Sequence, residues 1–238
     1  MSPSLNDEAQ AGITDARTDH PLLDASAYPA PRPPAELAAP ERIDAIAEAV
    51  NHALGKHVSA VDGQRGLLTE QGVEAAHEVF ASSPTAKALD TAELELADWI
   101  ATVERKPAEV IAKLSNPKAS TADELRNSRA WDRSVRELDA ADNGHLAAKI
   151  RDIVTAAAES ELGVLAAELP AYARSRGIPE EAVTAALKAR VPELASAYDE
   201  VARARRTHTL LAHKLAAVRT AVGQRRAATV LPKLAKIG

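Results

Sequence analysis

Apolar residues return at three- and four-residue steps along most of the chain, which is the spacing of one face of an α-helix. Ile43, Ile46, Val50, Leu54, His57 and Val61 form the first such stripe, and Gly63 and Gly66 weaken or bend it. The pattern resumes through Leu68, Val73, Ala76 and Phe80 and is stopped by Ser82-Ser83-Pro84. Leu89, Leu96, Trp99, Ile100 and Val103 make a third stripe. It is expected to end at Pro107, which also suits the first turn of a short helix to Leu114. Ser120 or Thr121 caps the next helix, which carries Leu125, Trp131, Val135 and Leu138; Glu124 lies three residues past Thr121, as in a capping box. Asn143-Gly144 punctuates. A further seam of Leu146, Ile150, Ile153, Ala157, Val164 and Leu165 reads as one helix, ended or kinked at Pro170. The last and longest helix carries Leu194, Tyr198, Val201, Leu211, Leu215, Val218 and Val222. No segment shows the two-residue alternation of a strand, so the expected fold class is all-α.

Composition sets the texture of these helices. Of 238 residues, 53 are alanine, while Leu, Val, Ile and Phe together number only 50. Alanine specifies helix locally, since it loses no side-chain entropy on ordering, but it buries little apolar area. Narrow stripes of Leu, Val and Ala therefore point to elongated helical hairpins in a coiled-coil-like bundle, with apolar surface left for other chains. In the last helix the ten-residue step from Val201 to Leu211, with Arg205 and His208 between them, does not suit a regular two-stranded coiled coil.

Residues 1–40 differ from the rest: Pro21, Pro29, Pro31, Pro33, Pro34 and Pro40 fall within twenty positions without apolar periodicity. Proline fixes φ and lacks an amide donor, so this stretch reads as an extended or disordered acidic arm. The organisation expected is this arm at 1–40, a helical hairpin region at 41–115, a helical region at 119–190, and a long basic helix and tail at 191–238.

The formal net charge of −5 hides a gradient. Residues 1–100 carry 17 acids and 6 bases, whereas the last 38 residues carry nine bases and no acid. Those nine are Arg203, Arg205, Arg206, Lys214, Arg219, Arg225, Arg226, Lys233 and Lys236, with five of them placed on a helix that also bears an apolar seam. They form the candidate partner-binding surface, fitted to an acidic protein surface, to neighbouring copies of the chain or, second, to nucleic acid. No aromatic residue follows Tyr198, which lowers the case for stacking on single-stranded bases.

Other chemistry is poorly represented. The chain has no cysteine, so disulfides, thiolate metal sites and a cysteine nucleophile are excluded. No run of 18 apolar residues offers a membrane span, and the start lacks a signal-peptide pattern. Glu74-Ala75-Ala76-His77 has the Glu-x-x-His spacing of di-iron bundles, yet the nearest counterpart, Asp142-Asn143-Gly144-His145, sits in a turn. No phosphate loop, nucleophile elbow or His-Glu-x-x-His motif occurs. The expectation is no catalytic site, no cofactor and no metal.

Two resemblances complete the reading. Tyr172 to Leu187 is similar to a DNA-binding helix-turn-helix, with Ala173, Gly177, Ile178, Val183 and Leu187 at that family's spacing. It departs from the pattern at Pro179-Glu180-Glu181, where two carboxylates would meet the groove and its phosphates. The same residues also read as a glycine C-cap followed by a helix start. At the level of layout, the proline-rich arm, alanine-rich helices and basic C-terminal element resemble tailed-bacteriophage head proteins: internal scaffolds and minor virion or connector components. That resemblance implies a non-enzymatic structural or assembly protein, located in cytoplasm or virion. The competing class is a DNA-binding regulator or nucleoid-type protein.

Overall fold

The computed structural model describes residues 21–115 and 120–234. Among them every regular element is a helix and no strand occurs. Of the described residues, 21–100 group with 205–234 as one unit, and those within Ala101–Ala204 form a second. The division differs from the boundaries drawn along the sequence, because the first unit joins the two ends of the chain.

In the first unit, α1 (Ala39–Gly63) opens with Pro40 in its first turn, where the missing amide donor costs no helical bond. All six stripe residues, Ile43 to Val61, are buried. Thr69 caps α2 (Glu70–Ser82) by accepting the Gly72 amide at 3.1 Å. α3 (Pro84–Leu114) is continuous and contributes to both units. Helix α3 does not stop at Pro107, as the sequence suggested; the ring is buried on the same stripe as Val103, so packing compensates the amide it lacks. Ile43, Val50, Leu89, Leu96, Leu211, Leu215 and Val218 make the main core of this unit, from α1, α3 and α8 (Pro192–Gly223).

The arm is ordered on the chain itself over its described part. Two short 3-10 turns, Pro21–Leu23 and Ala25–Ala27, precede an extended stretch; Leu22 is buried with Val61 and Ala76. The Thr85 amide and hydroxyl donate to the carbonyls of Tyr28 and Pro29 at 3.1 and 2.7 Å. Over 21–38 the described chain is a strap packed on its own helices. Residues 1–20 lie outside the described residues.

The second unit packs α4 (Thr121–Asp139), α5 (Leu146–Ala156), α6 (Leu162–Ser175) and α7 (Glu180–Arg190) with the adjoining parts of α3 and α8. Its core holds Leu138, Leu146, Ile150, Leu165, Leu169 and Leu187. Ser120, not Thr121, caps α4, and Asp123 completes the capping box. The single helix expected from Leu146 to Leu165 is two: α5 ends at Ala156, and α6 begins after a 3-10 turn. The break has no proline or glycine signal. In the first turn of α6, a Cβ at Gly163 would lie 2.6 Å from the Leu114 carbonyl oxygen, so only glycine allows this approach. Pro170 lies inside α6 and does not end it.

In α8 the buried residues Leu194, Ala197, Val201, Ala204, Leu211, Leu215 and Val218 run at alternating three- and four-residue steps, passing through half-buried His208. Ala204 fills the gap that the sequence seemed to leave between Val201 and Leu211.

Candidate functional site

Three of the nine residues singled out for partner binding, Lys214, Arg219 and Arg225, pair with the chain's own acids, and of these Lys214 alone is buried. Lys214 is 1% exposed, and its ammonium donates to Asp44 at 2.7 Å and Glu48 at 2.5 Å. Those two carboxylates stand one turn apart on α1, the spacing that lets both reach one cation. Arg219 bonds Asp90 and Glu93 of α3 at 2.7 and 3.0 Å. Arg225 meets both carboxylate oxygens of Glu74 on α2, and this pairing lowers the Glu74 pKa and raises that of the guanidinium. Arg42 of α1 donates through Nε and one terminal nitrogen to a single oxygen, Oε1, of Glu95 on α3. Lys214 therefore belongs to the interior and not to a partner-binding surface.

Arg225 and Arg226 also leave the helix on which the sequence placed them, since α8 ends at Gly223. Arg203, Arg206, Arg226 and Lys233 are exposed, Arg205 is exposed as well, and Lys236 lies outside the described residues. Among the described residues, the first unit holds 13 acids and 12 bases, and the second holds 17 and 14. The steep charge gradient along the chain is thus cancelled in the fold.

Past Gly223 the chain forms a second strap, residues 224–234, which belongs to no helix or strand. Its first turn closes α8: the Arg226 amide donates to the Ala221 carbonyl and the Arg225 amide to that of Val222, both at 3.1 Å. This is a Schellman closure, whose left-handed position usually takes glycine. Here Arg225 occupies it, at φ 56°. Further on, the Asn51 side chain pairs both ways with the Ala228 backbone, accepting its amide at 2.9 Å and donating to its carbonyl at 3.1 Å.

Both straps close over a chain of hydrogen-bonded rings. The Tyr28 hydroxyl lies 2.7 Å from Nδ1 of His57, and Nε2 of His57 lies 3.2 Å from Nδ1 of His77. Phe80 stacks on the His57 ring, and Tyr28 meets both His57 and Phe80 edge-on. His57 is 2% exposed; burial, then the neighbouring His77, pushes its pKa down to about 4. Burial, then Arg225, lowers that of His77. Two neutral imidazoles satisfy this geometry with one proton between them, while two imidazolium rings would set N–H against N–H. His57 appeared in the sequence only as a stripe position and Glu74-x-x-His77 only as a metal spacing. The structure gives Glu74 to Arg225 and His77 to His57 instead. No group of three or more metal-ligating side chains occurs among the described residues.

A pocket of about 350 Å3 beside the arm is lined by Tyr28, Pro29, Pro31, Ala53, Lys56 and Thr85. In the second unit a cavity of about 280 Å3 holds Arg133, Glu137, Lys149 and Glu161, already matched as Arg133–Glu161 and Lys149–Glu137 pairs at 2.8 and 2.7 Å. No helix of the described residues is long and apolar enough to cross a membrane.

The segment from Tyr172 to Leu187 folds as helix, turn and helix. The Ile178 amide donates to Ala173 at 2.9 Å and that of Gly177 to Arg174 at 3.1 Å, with Gly177 at φ 71°. Ala173, Val183 and Leu187 are buried, and Glu180 and Glu181 are exposed at the start of α7.

Compared with protein-family models, with characterised proteins and with solved structures, the chain matches none.

Proposed function

We propose that this is a non-enzymatic helical structural or assembly protein that works through protein–protein contacts, with a tailed-bacteriophage virion or its head assembly as the setting. The observation that carries the reading is the pair of straps, residues 21–38 and 224–234. Both run outside the α-helices and onto α1 and α2, and charges of opposite sign far apart in sequence close the unit from within. Such straps suit a building block whose ends dock on neighbours. Arg203, Arg206, Arg226 and Lys233 stay exposed for an acidic protein surface. Light scattering and native mass measured across protein concentration test this. Self-association, or a stoichiometric complex with a partner, is expected. A strict monomer that binds no protein contradicts it.

DNA binding is the second reading, favoured by the helix-turn-helix shape of residues 172–187 and opposed by Glu180 and Glu181 at the start of its second helix. Under it, affinity for duplex DNA falls steeply with salt and is lost when Arg203, Arg205 and Arg206 are neutralised.

A further inference from the structure

The C-terminal strap touches the body of its unit at every third residue. Arg225 meets Glu74, Ala228 pairs with Asn51, and Leu231 and Leu234 pack against the core shared by α1, α3 and α8. Between these contacts Arg226, Thr229 and Lys233 are exposed, while Ala227 and Pro232 are half-buried. A three-residue period is that of an extended, polyproline-like segment, whose backbone leaves its hydrogen bonds to be made by whatever it lies on. Asn51 makes them here. Beside it α1 narrows at Gly55, where a Cβ would sit 3.5 Å from that of Ala227, an ordinary contact distance. The strap is thus bound as a peptide is bound, by side chains of residues distant in sequence.

Its connection to α8 is a hinge in built form. A Cβ at Gly223 would meet nothing within 4 Å, and two residues later Arg225 holds a left-handed conformation that L side chains rarely adopt. The bidentate contact with Glu74 holds Arg225 there. If Arg225 returns to an ordinary φ, the strap swings away from its own groove and the backbone strain is relieved. Every contact it leaves can be remade in an identical groove, because exchange of an identical segment conserves its interactions.

We propose that the groove of Asn51, Gly55 and Glu74 takes residues 224–234 of a second copy of this chain, so that neighbouring copies are tied by exchanged straps. This rests on the assembly reading above and names its contact. The occupant is set by the fit already described: an arginine for Glu74, a small residue with a free backbone amide and carbonyl for Asn51, and two leucines beyond.

The chain has no cysteine, which makes the test clean. A Cβ separation of 3.5 Å lies within the range of about 3.5–4.5 Å that a disulfide spans. Full-length Gly55→Cys is mixed with full-length Ala227→Cys in a thiol–disulfide buffer, and linked peptides are mapped by mass. A 55–227 link between the two proteins is expected, rising with concentration and falling at least about tenfold when Asn51→Ala and Glu74→Gln are added to the Gly55→Cys partner, the loss of about 1.4 kcal/mol of binding. Finding only 55–55 and 227–227 links, while a chain carrying both cysteines closes on itself, overturns the exchange. Light scattering on the unmodified protein separates the two proposals. Oligomers without the 55–227 link overturn exchange and leave assembly standing, whereas a monomer at all concentrations removes both.

Discussion

Helices α6 and α8 end in the same hydrogen-bonded closure with different residues at its left-handed position. In α6 that residue is Gly177, at φ 71°, with nothing within 4 Å of where a Cβ would stand. In α8 it is Arg225, at φ 56°, held by Glu74 from 151 positions away. One closure is complete in its own few residues; the other depends on a remote partner. The same contrast separates the two units. Much of Ala101–Ala204 is stabilised by local sequence: a capping box at Ser120 and Asp123, a glycine C-cap, and consecutive helices packed on aliphatic side chains. The unit that joins the ends of the chain is closed by pairs such as Lys214–Asp44 and Asn51–Ala228, 170 and 177 residues apart.

The contrast breaks most severely at Lys214. Asp44→Asn with Glu48→Gln leaves a buried ammonium without counter-charge and should cost about 3 kcal/mol in urea unfolding, within the range for breaking a buried ion pair. Lys214→Met removes the charge and leaves both acids partly exposed to water, Glu48 more than Asp44, and should cost less than about 1.5 kcal/mol. No loss from the change of the two acids would show that Lys214 is held by packing alone.

Next in size is a pH effect confined to the same unit. His57 has its pKa lowered to about 4 from 6.5. Between these values the unfolded chain binds a proton that the folded chain refuses, so stability is full above pH 6.5 and falls as pH drops toward 4. Unfolding midpoints at pH 7.5 and 5, as chosen test conditions, should differ for the native chain and differ less for His57→Phe. That variant leaves the Tyr28 hydroxyl without its partner and loses about 1 kcal/mol at the higher pH. A native chain whose stability does not change between the two conditions would contradict the buried, neutral ring chain.

The smaller effects sharpen the comparison at the two closures. Gly177→Ala puts a side chain into the left-handed region and should cost about 1 kcal/mol with no other contact changed. Arg225→Gly relieves strain while losing the Glu74 contact, so its melting temperature should change little, whereas Arg225→Ala keeps the strain, loses the contact and should melt lower. If the alanine and glycine variants melt together, Arg225 is not strained.

The sequence made the helices legible and left their partners hidden. Apolar period placed Ile43 to Val61 on one buried face, and Gly177 read correctly as a C-cap, because both follow from neighbours a few residues apart. Pro107 misled because its ring happens to lie on the buried stripe, a fact of packing and not of spacing. The break after Ala156 was invisible for a similar reason: alanines favour helix on either side, and the close approach of Gly163 to Leu114 comes from tertiary structure. At the candidate site, the charge gradient was plain, but it could not say that the acids meeting Lys214, Arg219 and Arg225 belong to the same chain. His57 and His77 stand twenty residues apart on different helices, with no motif to join them.

The central claim is that the basic C-terminal segment lies on the acidic helices of its own kind, at Asn51 and Gly55. The most direct measurement is free-thiol content and peptide mapping of a Gly55→Cys/Ala227→Cys variant after mild oxidation. The account predicts nearly complete conversion to a 55–227 disulfide, within or between chains, with the helical circular dichroism unchanged. Two thiols that stay free, or pair at random, would contradict it.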